Sequence, residues 1–261
     1  MENKIRIDTL LVEKQILKSR SKAQSAIEMG LVKVNGKTVR KVSEKFDNSC
    51  EIELLAQPYK YVSRAGEKLE KALHSFDISV LDKVCLDVGA STGGFTHCML
   101  EHGARKVYAV DVGTSQLDSS LLENDKVCSL ENCDIRNFKP ETSFDFISVD
   151  VSFISLKHIK DAICRLSSEK TQIVMLIKPQ FECGGVGISK NGVVKDKKVH
   201  SAIIKDVIRC FQDADFNICG LDYSPIRGGE GNIEFLLYIS RDGKNTVPDV
   251  NGIVENAHRL G

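Results

Sequence analysis

The sequence predicts an α/β protein in which a largely parallel sheet is covered by helices on both faces and is preceded by a small α+β domain. Three observations carry that reading. From Lys83 onward, short runs of branched apolar residues alternate with helical stretches, the pattern of a sheet whose crossovers are helices. The first of these runs ends at Val88 and enters a glycine loop, Gly89 and then Gly93-Gly94, where backbone must turn left-handed or come close to a ligand. The first sixty residues differ in pattern and in charge. They hold twelve Lys plus Arg against eight Asp plus Glu, in a chain of 261 residues whose net charge is zero.

Within the N-terminal stretch, "RIDTLLVEKQIL" places Ile7, Leu10, Leu11, Ile16 and Leu17 on a helical stripe. A second helix follows in "SRSKAQSAIEMG", with Ser21 and Gln24 spaced as a capping box and Gly30 as the stop. Two alternating runs then flank Asn35-Gly36, a strong two-residue hairpin signal. Arg20 and Lys22, together with Lys33, Lys37, Arg40 and Lys41 around the hairpin, are placed to form one basic surface, which suggests an anionic partner. The Pro-containing "AQPYKYVSR" reads as a break. It divides the chain into a domain at 1–57, a linker at 58–64 and a second domain at 65–261. An amphipathic helix from about Gly66 carries Lys68, which spacing alone reads as solvated.

In the second domain the strands are expected at 83–89, 106–112, 126–134, 144–151 and 171–178, with helices at 93–104, 155–168 and 193–214 between them. The last two runs, 216–227 and 232–241, are close together and are expected to pair antiparallel. A hydrophobic content of 42% with 28% charged residues is that of an ordinary globular protein. No segment approaches the roughly 18 apolar residues a membrane span needs, and the start lacks a leader pattern, so a cytoplasmic protein without membrane contact is expected. Nine cysteines, an odd number without a C-x-x-C pair, argue for reduced, mostly buried thiols and against a zinc site. No metal is expected.

The loop "CLDVGASTGGFT" lacks the middle glycine of a dinucleotide fingerprint and the Gly-Lys-Ser/Thr ending of a phosphate loop. It retains an acidic residue, Asp87, two positions before Gly89, in a strand-loop-helix turn suited to a nucleoside without phosphate. S-adenosylmethionine is therefore the expected cofactor, held by Asp87, Gly89, Ala90, Ser91, Thr92, Gly93, Gly94 and Phe95. Asp111 ends the next strand and is placed to accept the ribose hydroxyls, while Asp134 follows the third and could accept the adenine amino group. The chain has no Pro-Pro turn of the kind used to methylate exocyclic nitrogens, and no proline precedes a cysteine as in carbon methylation. An oxygen acceptor remains, and Asp150, Lys178 and Glu234 stand at successive strand ends where charge could activate one.

The N-terminal "SRSKAQSAIEMGLVKVNG" resembles the alpha-L RNA-binding motif. With Lys68, the three strand-end residues resemble the K-D-K-E set of the FtsJ-like ribose 2′-O-methyltransferases, in the same order. Taken whole, "YVSRAGEKLEKAL", "CLDVGASTGGFT", "DVSFISL", "LIKPQFE" and "GNIEFLLYI" resemble the TlyA family, historically called hemolysin A. Thr92 stands where FtsJ proper usually carries proline, a departure the TlyA pattern accepts. The resemblance implies a Rossmann-like class I methyltransferase fold with a seven-stranded mixed sheet. It implies 2′-O-methylation of cytidine in the ribosomal RNA of the large subunit alone or of both subunits. A monomer is expected. It makes Lys68, Asp150, Lys178 and Glu234 catalytic. Lys178 would lower the hydroxyl pKa or take its proton, with Asp150 and Glu234 setting the lysine charge and Lys68 orienting the ribose. Arg6, Arg20, Lys22 and Lys41 would hold phosphates, and Arg64 would report RNA docking. The four glycines of "FECGGVGISKNGVVKD" make that segment costly to hold in one shape, so it is expected to close over the ribose once RNA docks. Two rivals remain at this level: a membrane-active hemolysin, tested by liposome leakage, and an inactive RNA-binding assembly factor, tested by cofactor calorimetry.

Overall fold

The structure, a computed structural model, describes residues 4–228 and 230–259. Its contacts divide the chain between Ser63 and Arg64 into two units.

The first unit contains β1 (Ile5–Arg6), α1 (Ile7–Glu13), α2 (Arg20–Glu28), β2 (Val32–Val34), β3 (Lys37–Val39), β4 (Lys45–Phe46) and β5 (Ile52–Leu54). The two helices form as the apolar stripe predicts, burying Ile7, Leu10, Leu11, Ala23, Ala26 and Ile27 completely. The cap of α2 differs from the expected one. Ser21 lies inside the helix, and the Ser19 side chain accepts the Lys22 amide instead. Gln24 is then free of any capping role and donates to Asp8 at 3.3 Å. The helix ends as Gly30 predicts: at φ +72 its amide donates to the Ile27 carbonyl while Leu31 reaches back to Ala26, a Schellman closure. β2 and β3 pair around Asn35 and Gly36, at φ 49 and 75, both left-handed as a type I′ turn requires. β5 adds to the other edge of β2, and β1 pairs with β4.

The second unit begins with α3 (Ala65–Ser75) and continues through β6 (Val84–Val88), α4 (Gly94–Glu101), β7 (Lys106–Val110), α5 (Ser119–Leu122), β8 (Val127–Leu130), β9 (Phe146–Val149), α6 (Lys160–Leu166), β10 (Gln172–Ile177), α7 (Pro179–Glu182), α8 (Lys197–Gln212), β11 (Asn217–Tyr223), β12 (Phe235–Ser240) and α9 (Val250–Arg259). Among the described residues its sheet has seven strands in the order β11-β12-β10-β9-β6-β7-β8. The five from β6 to β10 run parallel, while β12 lies antiparallel to both β10 and β11. The mixed sheet and the antiparallel tail are as the sequence predicts. Every residue of β9 is buried, and so is every residue of β6 and β10 after the first, because helices cover both faces. The strand order reverses between β6 and β9, so their carboxyl ends open a crevice where ligands of such sheets bind.

Candidate active site

The crevice at the switch point contains a cavity of about 490 Å³, lined by Gly89 and Ser91 from the glycine loop, Asp111 after β7, Asp134 after β8 and Asp150 after β9. Five expected site residues therefore meet in one place. Their backbone explains it. Gly89 and Ala90 both donate to the Val110 carbonyl, at 2.9 and 3.1 Å, folding the loop over the end of β7. Gly89 sits at φ +83, and a Cβ there would lie 2.7 Å from the Asp150 carbonyl oxygen, so only glycine lets the loop pass β9. Gly93, at φ +90, caps α4 where a Cβ would meet Leu117 and Leu121.

The carboxylates differ in what holds them. Asp111 accepts the amides of Ser91 at 2.8 Å and Gly113 at 2.7 Å, which orients it along the cavity wall. Asp134 is gripped by Arg136 at 2.6 Å, and that side-chain hydrogen bond holds its carboxyl below the usual range. Asp87 is completely buried and does not line the cavity. It accepts Thr96 of α4 at 2.7 Å and Ser148 of β9 at 3.0 Å, a pairing set by the register that puts Ser148 opposite Asp87. Burial pushes its carboxyl up to about 7, the two hydroxyls pulling it back only in part. Ala90, Thr92, Gly93, Gly94 and Phe95 do not line the cavity either; Thr92 is exposed and the other four are buried in the loop and the start of α4.

At the β9, β10 and β12 ends the charged residues fall on one face. Ile177 pairs with Phe235, so Lys178 and Glu234 are the next residues of that ladder, and Val149 pairs with Met175, placing Asp150 beside Leu176. Lys178 Nζ lies 2.5 Å from Asp150 and donates to Ser152 at 2.9 Å. Lys68, on the buried face of α3, donates to Glu234 at 2.6 Å. The side chains of all four are at most 13% exposed. The lysine read from spacing as solvated is thus a buried ion-pair member. The partners are also redistributed relative to expectation: Asp150 pairs with Lys178, and Glu234 pairs with Lys68.

Several neighbours escaped the sequence reading. Glu182 accepts Ser155 at 2.6 Å and the Leu156 amide at 2.7 Å, fixing the segment after Asp150. Within that segment Phe153 lines the cavity at φ 64, 91% exposed, 5.2 Å from the Phe181 ring. Asn232, almost fully buried, accepts the Val194 amide and donates to the Gly192 carbonyl. The glycine-rich segment expected to need a partner is therefore tied at its far end beside Glu234. Only the place of these residues next to charged strand ends could have flagged them.

In the first unit Asp8 is fully buried and accepts Arg6 at 2.9 Å, Arg20 at 2.8 Å and Gln24. Burial alone would raise its carboxyl, but those hydrogen bonds outweigh it and hold it far below the usual range. Two of the expected RNA-binding arginines are thus tethered by their own fold, with side chains 41% and 58% exposed. Lys22 is half-buried, Lys41 is exposed, and Arg64 is the N-cap residue of α3.

Comparison with known proteins agrees with this architecture. The FtsJ-like methyltransferase model matches residues 61–241, and the S4 domain model matches residues 5–49. YqxC of Bacillus subtilis, named for an rRNA methyltransferase, is 42% identical over 98% of this chain and 95% of its own length. The 16S/23S rRNA (cytidine-2′-O)-methyltransferase TlyA of Mycobacterium tuberculosis is 34% identical over 99% of this chain and 98% of its own. A solved structure from Streptococcus thermophilus, described as a hemolysin, superposes with a TM-score of 0.79 at 41% identity, covering 100% of this chain and 98% of that one. With five motifs, the fold and both domain models in agreement, the chain belongs to the TlyA family, an S4 domain joined to an FtsJ-like methyltransferase domain.

Proposed function

We propose that the protein transfers a methyl group from S-adenosylmethionine to the ribose 2′-hydroxyl of a cytidine in ribosomal RNA, on ribosomal subunits. The observation that carries the reading is the pair of buried lysine–carboxylate contacts at the strand ends, one of which, through Asp150, opens into the cavity. The cavity suits the cofactor in size and lining. Asp111 and Asp134 would take the nucleoside's hydroxyls and amino group, and Val88, Ile135 and Ile154 supply apolar walls. The bound cofactor supplies a methyl group on a positively charged sulfur. With the cofactor bound, the ribose 2′-oxygen would take that carbon from sulfur, the carbon–sulfur electron pair staying on sulfur and the hydroxyl proton leaving to solvent.

Lys178 stabilises the charge that develops on the attacking oxygen. Asp150 and Ser152 fix the position of its ammonium in advance, so no reorganisation is needed during transfer. Lys68, held by Glu234, orients the ribose from α3, and most of the rate comes from positioning. The exposed Phe153 ring offers a stacking surface for a base turned out of its helix. The first unit would contact phosphates through Lys22, Lys41 and the outer faces of Arg6 and Arg20, fixing which RNA surface is engaged without reading bases. A hemolytic role has less support: among the described residues no helix is long and apolar enough to cross a membrane. Incubating ribosomal subunits from a strain lacking this protein with labelled S-adenosylmethionine, then mapping the label, tests the proposal. Label on a cytidine ribose is expected; label on a base, or none, would overturn it.

A further inference from the structure

We infer a divalent metal site on the flank of the second unit, formed by Glu70 and His74 of α3 and by His102 at the end of α4. Each offers one ligand atom, and the three atoms all lie within 4.8 Å of one another. Glu70 and His74 are four apart on one helix, the spacing that stacks side chains on a single face. His102 reaches them because α3 and α4 pack side by side, and its ring meets that of His74 edge-on at 6.0 Å.

The tautomer of His102 is set by its own helix. Its Nδ1 lies 2.8 Å from the Cys98 carbonyl oxygen, and a carbonyl only accepts, so Nδ1 carries the proton. The lone pair is thereby placed on Nε2, and the ring is held in one orientation, the role that outer hydrogen bonds play for metal-ligating histidines. Ligands about 2.1 Å from a tetrahedral ion stand roughly 3.4 Å apart. The three atoms, within 4.8 Å of one another, draw closer by up to about 1.4 Å to close on an ion.

Two imidazoles and one carboxylate suit a borderline ion such as Zn²⁺ or Co²⁺ better than Ca²⁺ or Mg²⁺. His74 is exposed, which leaves room for water as a fourth ligand. The site is separate from the chemistry. Lys68 lies two positions before Glu70, about 200° around the helix, so the ligand face of α3 points away from the ribose-orienting lysine. A bound ion would fasten the helix that carries Lys68 to the helix that follows the cofactor loop. Neither ligand spacing resembles a zinc motif in sequence, because one ligand comes from a different helix.

Co²⁺ titration of the full chain, freed of metal and kept reduced with a phosphine, tests the site. Uptake of one ion per chain, with weak visible bands and no near-ultraviolet thiolate band, is expected. A thiolate band would assign the ion to the cysteines and overturn the inference. His74→Ala, at an exposed position that folding does not require, should weaken binding by about tenfold or more, and His102→Ala should do the same. Unchanged affinity in both variants, or no uptake by the parent protein, refutes the site. At Zn²⁺ about a hundred times the dissociation constant, the parent should melt about 5–10 °C higher and His74→Ala should not.

Discussion

Replacing Asp87 by asparagine is expected to stabilise the protein above neutral pH while leaving it nearly unchanged in acid. Asp87 is completely buried between β6, β9 and α4, where the hydroxyls of Thr96 and Ser148 donate to it and the Thr96 backbone adds to them. Burial lifts its carboxyl from the ordinary 3.8 to about 7. The folded state therefore keeps a proton that the unfolded chain has already released. Between about pH 4 and pH 7 that difference favours folding less and less, and above pH 7 the buried charge is carried at full cost. Three units at ~1.4 kcal/mol each come to about 4 kcal/mol. Asparagine keeps the volume, accepts one hydroxyl, donates to the other and does not titrate. The stability difference between variant and parent should therefore grow by ~4 kcal/mol from pH 4 to pH 8, on the order of 10 °C in melting temperature for a chain of this size. Thermal unfolding of both proteins at pH 5, 6, 7 and 8 measures it directly. A constant offset at every pH, or a variant less stable than the parent at pH 8, would refute the reasoning.

Asp8→Asn acts in the opposite sense, because the folded-state carboxyl of Asp8 is held down by Arg6, Arg20 and Gln24. Its stabilisation is present above about pH 4 and lost as the pH falls, and the substitution should cost about 2 kcal/mol at neutral pH, seen as faster amide exchange across α2 and β2. Charge reversal at Arg20 would set a second carboxylate against Asp8 and disturb that fold, so RNA contact is better probed at Lys22 and Lys41. Lys22→Glu with Lys41→Glu should weaken subunit binding and lower the log–log salt slope by about 2, with cofactor affinity of the free protein unchanged; an unaltered slope would count against phosphate contact there. Gly89→Ala puts a methyl 2.7 Å from the Asp150 carbonyl at φ +83, and it should reduce methyl transfer about tenfold or more with the circular dichroism spectrum preserved.

Much of the fold is legible because the apolar runs have strand length and the helices between them are amphipathic. The Asn35-Gly36 turn and the Gly30 stop follow from left-handed backbone that few residues accept. The cap of α2 was misread because two serines flank Arg20 and only geometry selects Ser19. In the site, Asp111, Asp134 and Asp150 are readable as acidic residues at strand ends, and all three line the cavity. The burial of Lys68 is not readable, since a lysine on an amphipathic helix looks solvated until Glu234, 166 residues later, arrives beside it. The same distance hides the division of partners, because sequence order places Asp150, Lys178 and Glu234 together without saying which carboxylate each lysine meets. Ser148 and Asn232 matter only through strand register and loop closure, which no local pattern encodes.

Comparison of Lys178→Ala with the parent protein tests the catalytic assignment most directly. Single-turnover transfer of labelled methyl to unmodified subunits should fall by about a hundredfold or more. S-adenosylmethionine affinity, measured by calorimetry, should stay within about threefold, because Lys178 pairs with Asp150 and does not itself line the cavity. Transfer at near the parental rate would contradict the account.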